Sequence, residues 1–196
     1  MKPDYHFEEE YWQEGKVVVG VDEVGVGPLA GPVVAAAVIL PTRLRIGKLQ
    51  DSKKMSEKAR EECDVMIKKV ALAWGIGSAS VEEIEEVGIR KATFLAMKRA
   101  LAKLAVSYDA ILVDGYRIEG VEKPCVAIIK GDSKSRSIAA ASIIAKVHRD
   151  AYMVALHEEF PAYNFKRHKG YGTHEHLEAI KKCGKTKHHR MSFIHI

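Results

Sequence analysis

Cysteine is scarce in this 196-residue chain, and the three present, Cys63, Cys125 and Cys183, are odd in number and far apart. They form no Cys-x-x-Cys pair, which argues against a zinc site and a disulfide framework and fits a reducing, cytoplasmic setting. No apolar run approaches the length needed to span a bilayer, so no membrane role is expected. The N-terminus carries Asp4, Tyr5, Glu8, Glu9, Glu10 and Trp12, too acidic for a secretory signal. Repeats, low-complexity tracts and long Pro/Gly/Ser linkers are absent as well. What remains is 47% hydrophobic and long enough for one good core, with a monomer as the default state.

The net charge of +5 is unevenly spread. Residues 160–196 hold eight Lys or Arg against two Glu, a surplus of 6, which leaves −1 for residues 1–159. A basic C-terminal segment suits a polyanion such as nucleic acid, and a merely solvated face equally well.

The chain is organised around residues 16–39. An apolar, β-branched run, Val17 to Val21, stops at two adjacent carboxylates, Asp22 and Glu23. A glycine-rich turn follows (Gly25, Gly27, Pro28, Gly31, Pro32), then a second apolar run to Leu40. Short apolar runs bounded by Gly and Pro predict two strands joined by that turn. Glycines there let a ligand approach the backbone closely.

Beyond this hairpin, Ser56 is a plausible N-cap for a helix through Cys63, Ile67 and Val70, and Ala71 to Ala79 reads as a strand. Ser80-Val-Glu-Glu83 is a capping-box pattern, so a short helix should follow to Gly88, then a longer one through Leu104. Asp109 to Val113 and Val126 to Ile129 read as further strands. A long helix from Ser135 or Ser137 runs to Glu159, where Phe160-Pro161 stops it, and Thr173 caps a last helix that closes at Cys183-Gly184. The pattern predicts a mixed α/β domain over residues 1–159, with helices flanking the sheet, and a helical, basic segment over 160–196 packed on it.

Three of these strands end in carboxylates: Asp22-Glu23, Asp114 and, after Gly131, Asp132. Side chains just past strand ends share one edge of an α/β sheet, where ligands usually bind. If the strands are neighbours, four acids converge and repel one another unless divalent cations sit among them. All-oxygen ligands, without thiolate or imidazole nearby in sequence, select magnesium or manganese over zinc. Taken singly, each Asp is an ordinary strand-end or turn residue. His148 reads as a surface or core residue, and His174 and His176, two apart on a helix, are poor joint ligands.

Asp22-Glu-Val-Gly-Val-Gly-Pro-Leu-Ala-Gly-Pro-Val-Val34 resembles the first signature of prokaryotic ribonuclease HII. The segments Ile111–Gly115, Lys130–Asp150, Asp51-Ser-Lys53, Phe160–Thr173 and His189–Phe193 resemble further blocks of that family, so the match runs from residue 17 to the C-terminus. The resemblance implies a ribonuclease H-like fold with Asp22, Glu23, Asp114 and Asp132 as catalytic, metal-holding acids. It implies two Mg2+ or Mn2+ ions and hydrolysis of RNA in RNA–DNA hybrids. It also implies cleavage on the 5′ side of ribonucleotides embedded in duplex DNA, leaving 5′-phosphate and 3′-hydroxyl ends.

By the same resemblance, the Gly25-Val26-Gly27 turn contacts the 2′-hydroxyl through its main chain, and Tyr171 stacks on the sugar at the RNA–DNA junction. Lys53, Ser133 and Lys134 are then candidate phosphate contacts; Lys146 and Arg149, on the long helix, either do the same or merely face solvent. One departure stands out: Val26 occupies a position where the family usually has arginine. Three rivals remain. A nucleotide-binding enzyme is disfavoured because the turn fits neither a P-loop nor a dinucleotide fingerprint. A non-catalytic binder of polyanions would gain nothing from four acids. Ribonuclease HIII shares the chemistry but usually carries an extra N-terminal domain, and Asp22 falls too near the start for one.

Overall fold

The computed structural model describes residues 2–42, 44 and 55–195; the predicted phosphate contact Lys53 lies outside them. Five strands, β1 (Val18–Val24), β2 (Val33–Ile39), β3 (Ala73–Ala79), β4 (Ala110–Asp114) and β5 (Cys125–Ile128), form one sheet in the order β3-β2-β1-β4-β5. β1 pairs antiparallel with β2 and parallel with β4; β2–β3 is antiparallel and β4–β5 parallel. The α-helices among the described residues are α1 (His6–Trp12), α2 (Glu57–Val70), α3 (Val81–Val87), α4 (Ile89–Leu101), α5 (Arg136–Glu159), α6 (Phe165–His168) and α7 (His174–Cys183). None is long and apolar enough to cross a membrane.

Strand alternation decides which helix covers which face. Val19 and Val21 of β1, with Val33, Ala35, Ala37 and Ile39 of β2, pack against Ala96, Met97 and Ala100 of α4. The alternate residues of the same strands, Val34, Ala36 and Val38, pack against Ala140, Ile143 and Ile144 of α5. Residues 137–145 of α5 are all buried, as expected of a helix apolar around its whole circumference. That helix lies almost on the backbone of β1: a Cβ at Gly20 would fall 2.2 Å from the carbonyl carbon of Ser137. Gly75 and Gly77 of β3 play the same part beneath α4.

The caps predicted at Ser56, Ser80 and Thr173 form, and of the two expected starts of the long helix, Ser135 and Ser137, the cap is Ser135. Ser56, Ser135 and Thr173 each accept a main-chain N–H of the helix they open, and Ser80 and Glu83 complete the capping box. Each such cap is worth about 1 kcal/mol. The element boundaries differ by a few residues: β3 starts at Ala73, α4 ends at Leu101, and β5 covers Cys125–Ile128.

Helix α1 was not anticipated. Its Glu8 is wholly buried and accepts hydrogen bonds from the Ser135 hydroxyl (2.7 Å) and the Ser137 N–H (2.8 Å) at the start of α5. Burial pushes its carboxyl pKa up. The C-terminal segment, α6, α7 and short turns at Pro161–Tyr163 and Met191–Phe193, packs through Tyr163, Phe165, Ile180 and Ile194 onto Met153 and Leu156 of α5 and onto Ala30 in the glycine turn. The three cysteines are free; Cys63 and Cys125 are buried and Cys183 is exposed.

Candidate active site

The parallel β1–β4 register pairs Val21 with Val113, so Asp22 lies beside Asp114, the last residue of β4. The expected strand end at Asp22-Glu23 is not there: β1 continues to Val24, with Asp22 still paired to Ala36 of β2. Both fall on the α5 face, because alternation puts Val19, Val21, Ile111 and Val113 on the α4 face. Asp132 arrives from the short turn Gly131–Ser133, which opens into α5. The main-chain N–H of Gly131 donates to Asp114 Oδ1 at 2.6 Å and so ties that turn to the end of β4. Carboxylate oxygens of Asp22, Asp114 and Asp132 lie within 4.8 Å of one another. Asp22 and Asp132 are buried and Asp114 is half-buried.

Such crowding is costly. Asp22 has its pKa pushed well above the carboxylate range, chiefly by burial and then by the charges of Glu23 and Asp114. Hydrogen bonds from the Ser142 side chain and from the Glu23 N–H (2.7 Å) pull the other way without cancelling it. A cation among these oxygens would relieve the repulsion, and the all-carboxylate donor set suits a hard divalent ion. The fourth predicted acid, Glu23, is half-buried beside Asp22 and stands outside the group of three, near enough for its charge to act on Asp22.

The glycine turn begins one residue past β1. Gly25 is buried with φ +92, and a Cβ there would meet Arg149 Nε at 2.2 Å, so conformation and space both demand glycine. Gly27 differs: its φ lies outside the left-handed region, and a Cβ would meet no described residue within 4 Å. Val26 is 40% exposed. Behind the turn lie two fully buried arginines. Arg149 donates to the carbonyls of Ala30, Pro32 and Lys169, each at 3.0 Å. Arg190 donates to those of Gly25 (2.6 Å), Val26 (3.0 Å) and Gly31. The expectation that Arg149 touches phosphate or faces solvent is therefore wrong; its fork is spent on main chain. The Gly25 and Val26 carbonyls, expected to meet a 2′-hydroxyl, each already accept one bond from Arg190.

Tyr171, 42% exposed, stands on a loop docked against this turn: Leu29 N–H donates to Gly170 O at 2.8 Å, and a Cβ at Gly170 would meet Ala30 O at 2.5 Å. Lys169, immediately before, has φ 50, and Lys130, before Gly131-Asp132, has φ 57. Backbone strain of this kind concentrates at functional sites. Beside Tyr171 opens a cleft of about 500 Å³, lined by Arg60, Lys146, Lys166, Arg167 and Lys169 with Glu57 and Asp150. Ser133 is half-buried and its hydroxyl donates to Lys130 O at 2.8 Å; Lys134, half-buried, follows on the same turn. His174 is exposed and His176 buried, so the two do not act together. Residue-level reasoning missed Glu8, Ser142, Arg190 and the buried histidines His168, His176 and His189. The burial of Arg149, by contrast, left a signal: it lies four residues from both Ala145 and Met153, on the buried face of α5.

The Ribonuclease HII family model matches residues 19–196. Ribonuclease HII of Dechloromonas aromatica is 52% identical over 177 residues, covering 90% of each chain. Among solved structures, the RNase HII of a PCNA:RNase HII complex from Archaeoglobus fulgidus superposes with a TM-score of 0.74 at 27% identity, covering 92% of this chain and 96% of that one. The ribonuclease H2 of Pyrococcus horikoshii OT3 gives 0.75 at 24%, covering 90% and 93%, and supports the ribonuclease H-like fold.

Proposed function

The chain belongs to the ribonuclease HII family of endoribonucleases, and from that premise we propose that it hydrolyses the RNA strand of RNA–DNA hybrids and cuts 5′ of ribonucleotides embedded in duplex DNA. The observation that carries this reading is the convergence of Asp22, Asp114 and Asp132 at one sheet edge. These three, with Glu23 at the rim, would hold Mg2+ or Mn2+. When bound, a pair of such ions supplies Lewis acidity to an attacking water and to the leaving 3′ oxygen of an in-line displacement.

The chain's own residues orient the duplex. Phosphates run along the basic cleft of Lys146, Lys166, Arg167 and Lys169, with Ser133 and Lys134 as further contacts near Asp132; such contacts position without reading bases. The 2′-hydroxyl is sensed by main chain at Gly25-Val26-Gly27, since telling RNA from DNA requires that group. Among the described residues nothing requires glycine at 27, so its missing side chain makes room for substrate. Tyr171 stacks on the sugar beside the junction. Main-chain sensing depends on the shape of the turn, which Arg190 fixes, so Val26 in place of arginine leaves it intact. A monomer suffices for every contact in this reading.

The test is incubation with a duplex holding one ribonucleotide, with and without a chelator, followed by mapping of the ends. Cation-dependent cutting on the 5′ side, with 5′-phosphate and 3′-hydroxyl products, is expected. Cleavage that survives the chelator, or 2′,3′-cyclic phosphate ends, would refute the metal-site reading.

A further inference from the structure

The glycine turn and the Tyr171 loop belong to distant stretches of chain, and one dipeptide, His189–Arg190, is bonded to the first directly and to the second through His176. The N–H of Arg190 donates to Leu29 O at 2.8 Å, and its guanidinium spans the carbonyls of Gly25, Val26 and Gly31. A planar fork with five donors fixes such a set in a way a flexible lysine cannot. Among the described residues its hydrogen-bond partners include no carboxylate. Burial, together with the neighbouring Arg149 charge, brings its pKa down to about 9. Filling a core would be cheaper with an apolar side chain, because a buried cation carries a desolvation cost that only its hydrogen bonds offset.

His189 reaches the other loop through a second imidazole. Its Nε2 lies 3.2 Å from His176 Nε2, and His176 Nδ1 lies 2.9 Å from Tyr171 O. A carbonyl can only accept, so His176 carries its proton on Nδ1 and takes one from His189 Nε2–H. His189 Nδ1 is then an acceptor, and it receives the Thr186 N–H and hydroxyl, both at 2.9 Å. One set of neutral tautomers satisfies every ring nitrogen along this path. His168, stacked on His176 at 4.4 Å, accepts the Gly170 N–H and braces the same loop.

We propose that His189 and Arg190 are positioning residues that hold the glycine turn and Tyr171 in one register, and so govern cutting at a lone ribonucleotide rather than the phosphodiester chemistry. The proposal rests on the functional reading above. Neither side chain reaches the surface, so neither touches substrate. A lone ribonucleotide must meet turn and tyrosine together, whereas an all-RNA strand offers a 2′-hydroxyl in every register.

The experiment compares wild type with Arg190→Lys, His189→Asn and His189→Gln. Its readouts are circular dichroism, Mn2+ affinity, and kcat and KM on a single-ribonucleotide duplex and on an RNA–DNA hybrid. Asn keeps the acceptor facing Thr186 but loses the donor to His176; Gln keeps that donor. Arg190→Lys and His189→Asn should fold, bind Mn2+ as wild type does, and lose about 10–100-fold in kcat at the lone ribonucleotide, the scale of a small misplacement. The hybrid should lose about threefold or less on the same grounds, KM should hold, and His189→Gln should recover most of the loss. Folded variants with wild-type selectivity, or equal losses on both substrates with weakened Mn2+ binding, overturn the proposal. If Arg190→Lys does not fold, His189→Asn decides alone; if neither folds, the pair is a folding element and the proposal is wrong. A wild type inactive on both substrates would instead sink the functional reading itself.

Discussion

The two halves of the site are built by opposite means. The acid cluster comes from regular structure: strand register places Asp22 beside Asp114, and the turn into α5 brings Asp132. The proposed recognition side is made of loops, held by guanidinium and imidazole groups that bond to main-chain carbonyls. Register is inherited from the sheet and tolerates little variation. Loops tied by buried side chains can be retuned one bond at a time. Chemistry and substrate reading should therefore respond to different mutations.

The largest effect is expected at the acids. Asp22→Asn should lower cleavage by at least about 10³-fold, some 4 kcal/mol of transition-state stabilisation. It should also melt no lower than wild type in chelator, because an ionised Asp22 is crowded by Glu23 and Asp114. Initial rates and thermal melts check both; a lower melting temperature would mean the carboxylate is structural.

Next comes a contrast inside the turn. Gly25→Ala should destabilise the fold by about 1–3 kcal/mol, through its positive φ and its clash with Arg149. Gly27→Ala should shift stability by less than about 1 kcal/mol while sharply weakening cutting at a lone ribonucleotide. Denaturant titration paired with cleavage assays separates the two; if Gly27→Ala is fully active, substrate does not approach there.

Tyr171→Ala should cost at most about 1–3 kcal/mol, the value of an aromatic ring stacked on a base, at a single ribonucleotide and less on an all-RNA strand. Equal losses would remove the junction role.

A gentler perturbation is pH. Burial depresses His176 and His189 to about 4, from an ordinary value near 6.5. Between those values the unfolded chain binds protons that the folded one refuses, so stability is full above about 6.5 and falls as pH drops toward about 4. Melting temperature against pH measures this. Replacing His176 with Gln should flatten the slope, and an unchanged slope would show that the imidazoles do not set it.

The smallest expected effect is at the rim: Lys166→Ala should reduce the salt slope of duplex binding by about one. An unchanged slope would place the phosphates elsewhere.

The same division explains what could be read from the letters. Caps at Ser56, Ser80, Ser135 and Thr173 are local signals, and so are acids near strand ends, although only Asp114 ends its strand; the acids' convergence follows once the strands are neighbours. Apart from the bond from Arg149 to Lys169, 20 residues on, Glu8, Arg149 and Arg190 hydrogen-bond over separations of 117 to 165 residues, and the two arginines donate to carbonyls. Every residue has a carbonyl, so the partner leaves no trace in sequence. The imidazole chain is hidden for a related reason. His176 looks like an ordinary helix residue until α7 packs beside residues 186–190 and brings His189 to it.

The claim that chemistry and recognition are separable is tested most directly by the binding preference of the inactive Asp22→Asn protein. Its dissociation constants would be compared for a duplex with one ribonucleotide and for the same duplex in all DNA. A preference equal to that of the wild type in chelator is predicted; a preference that disappears with the carboxylate would contradict the separation and make the acids part of the reader.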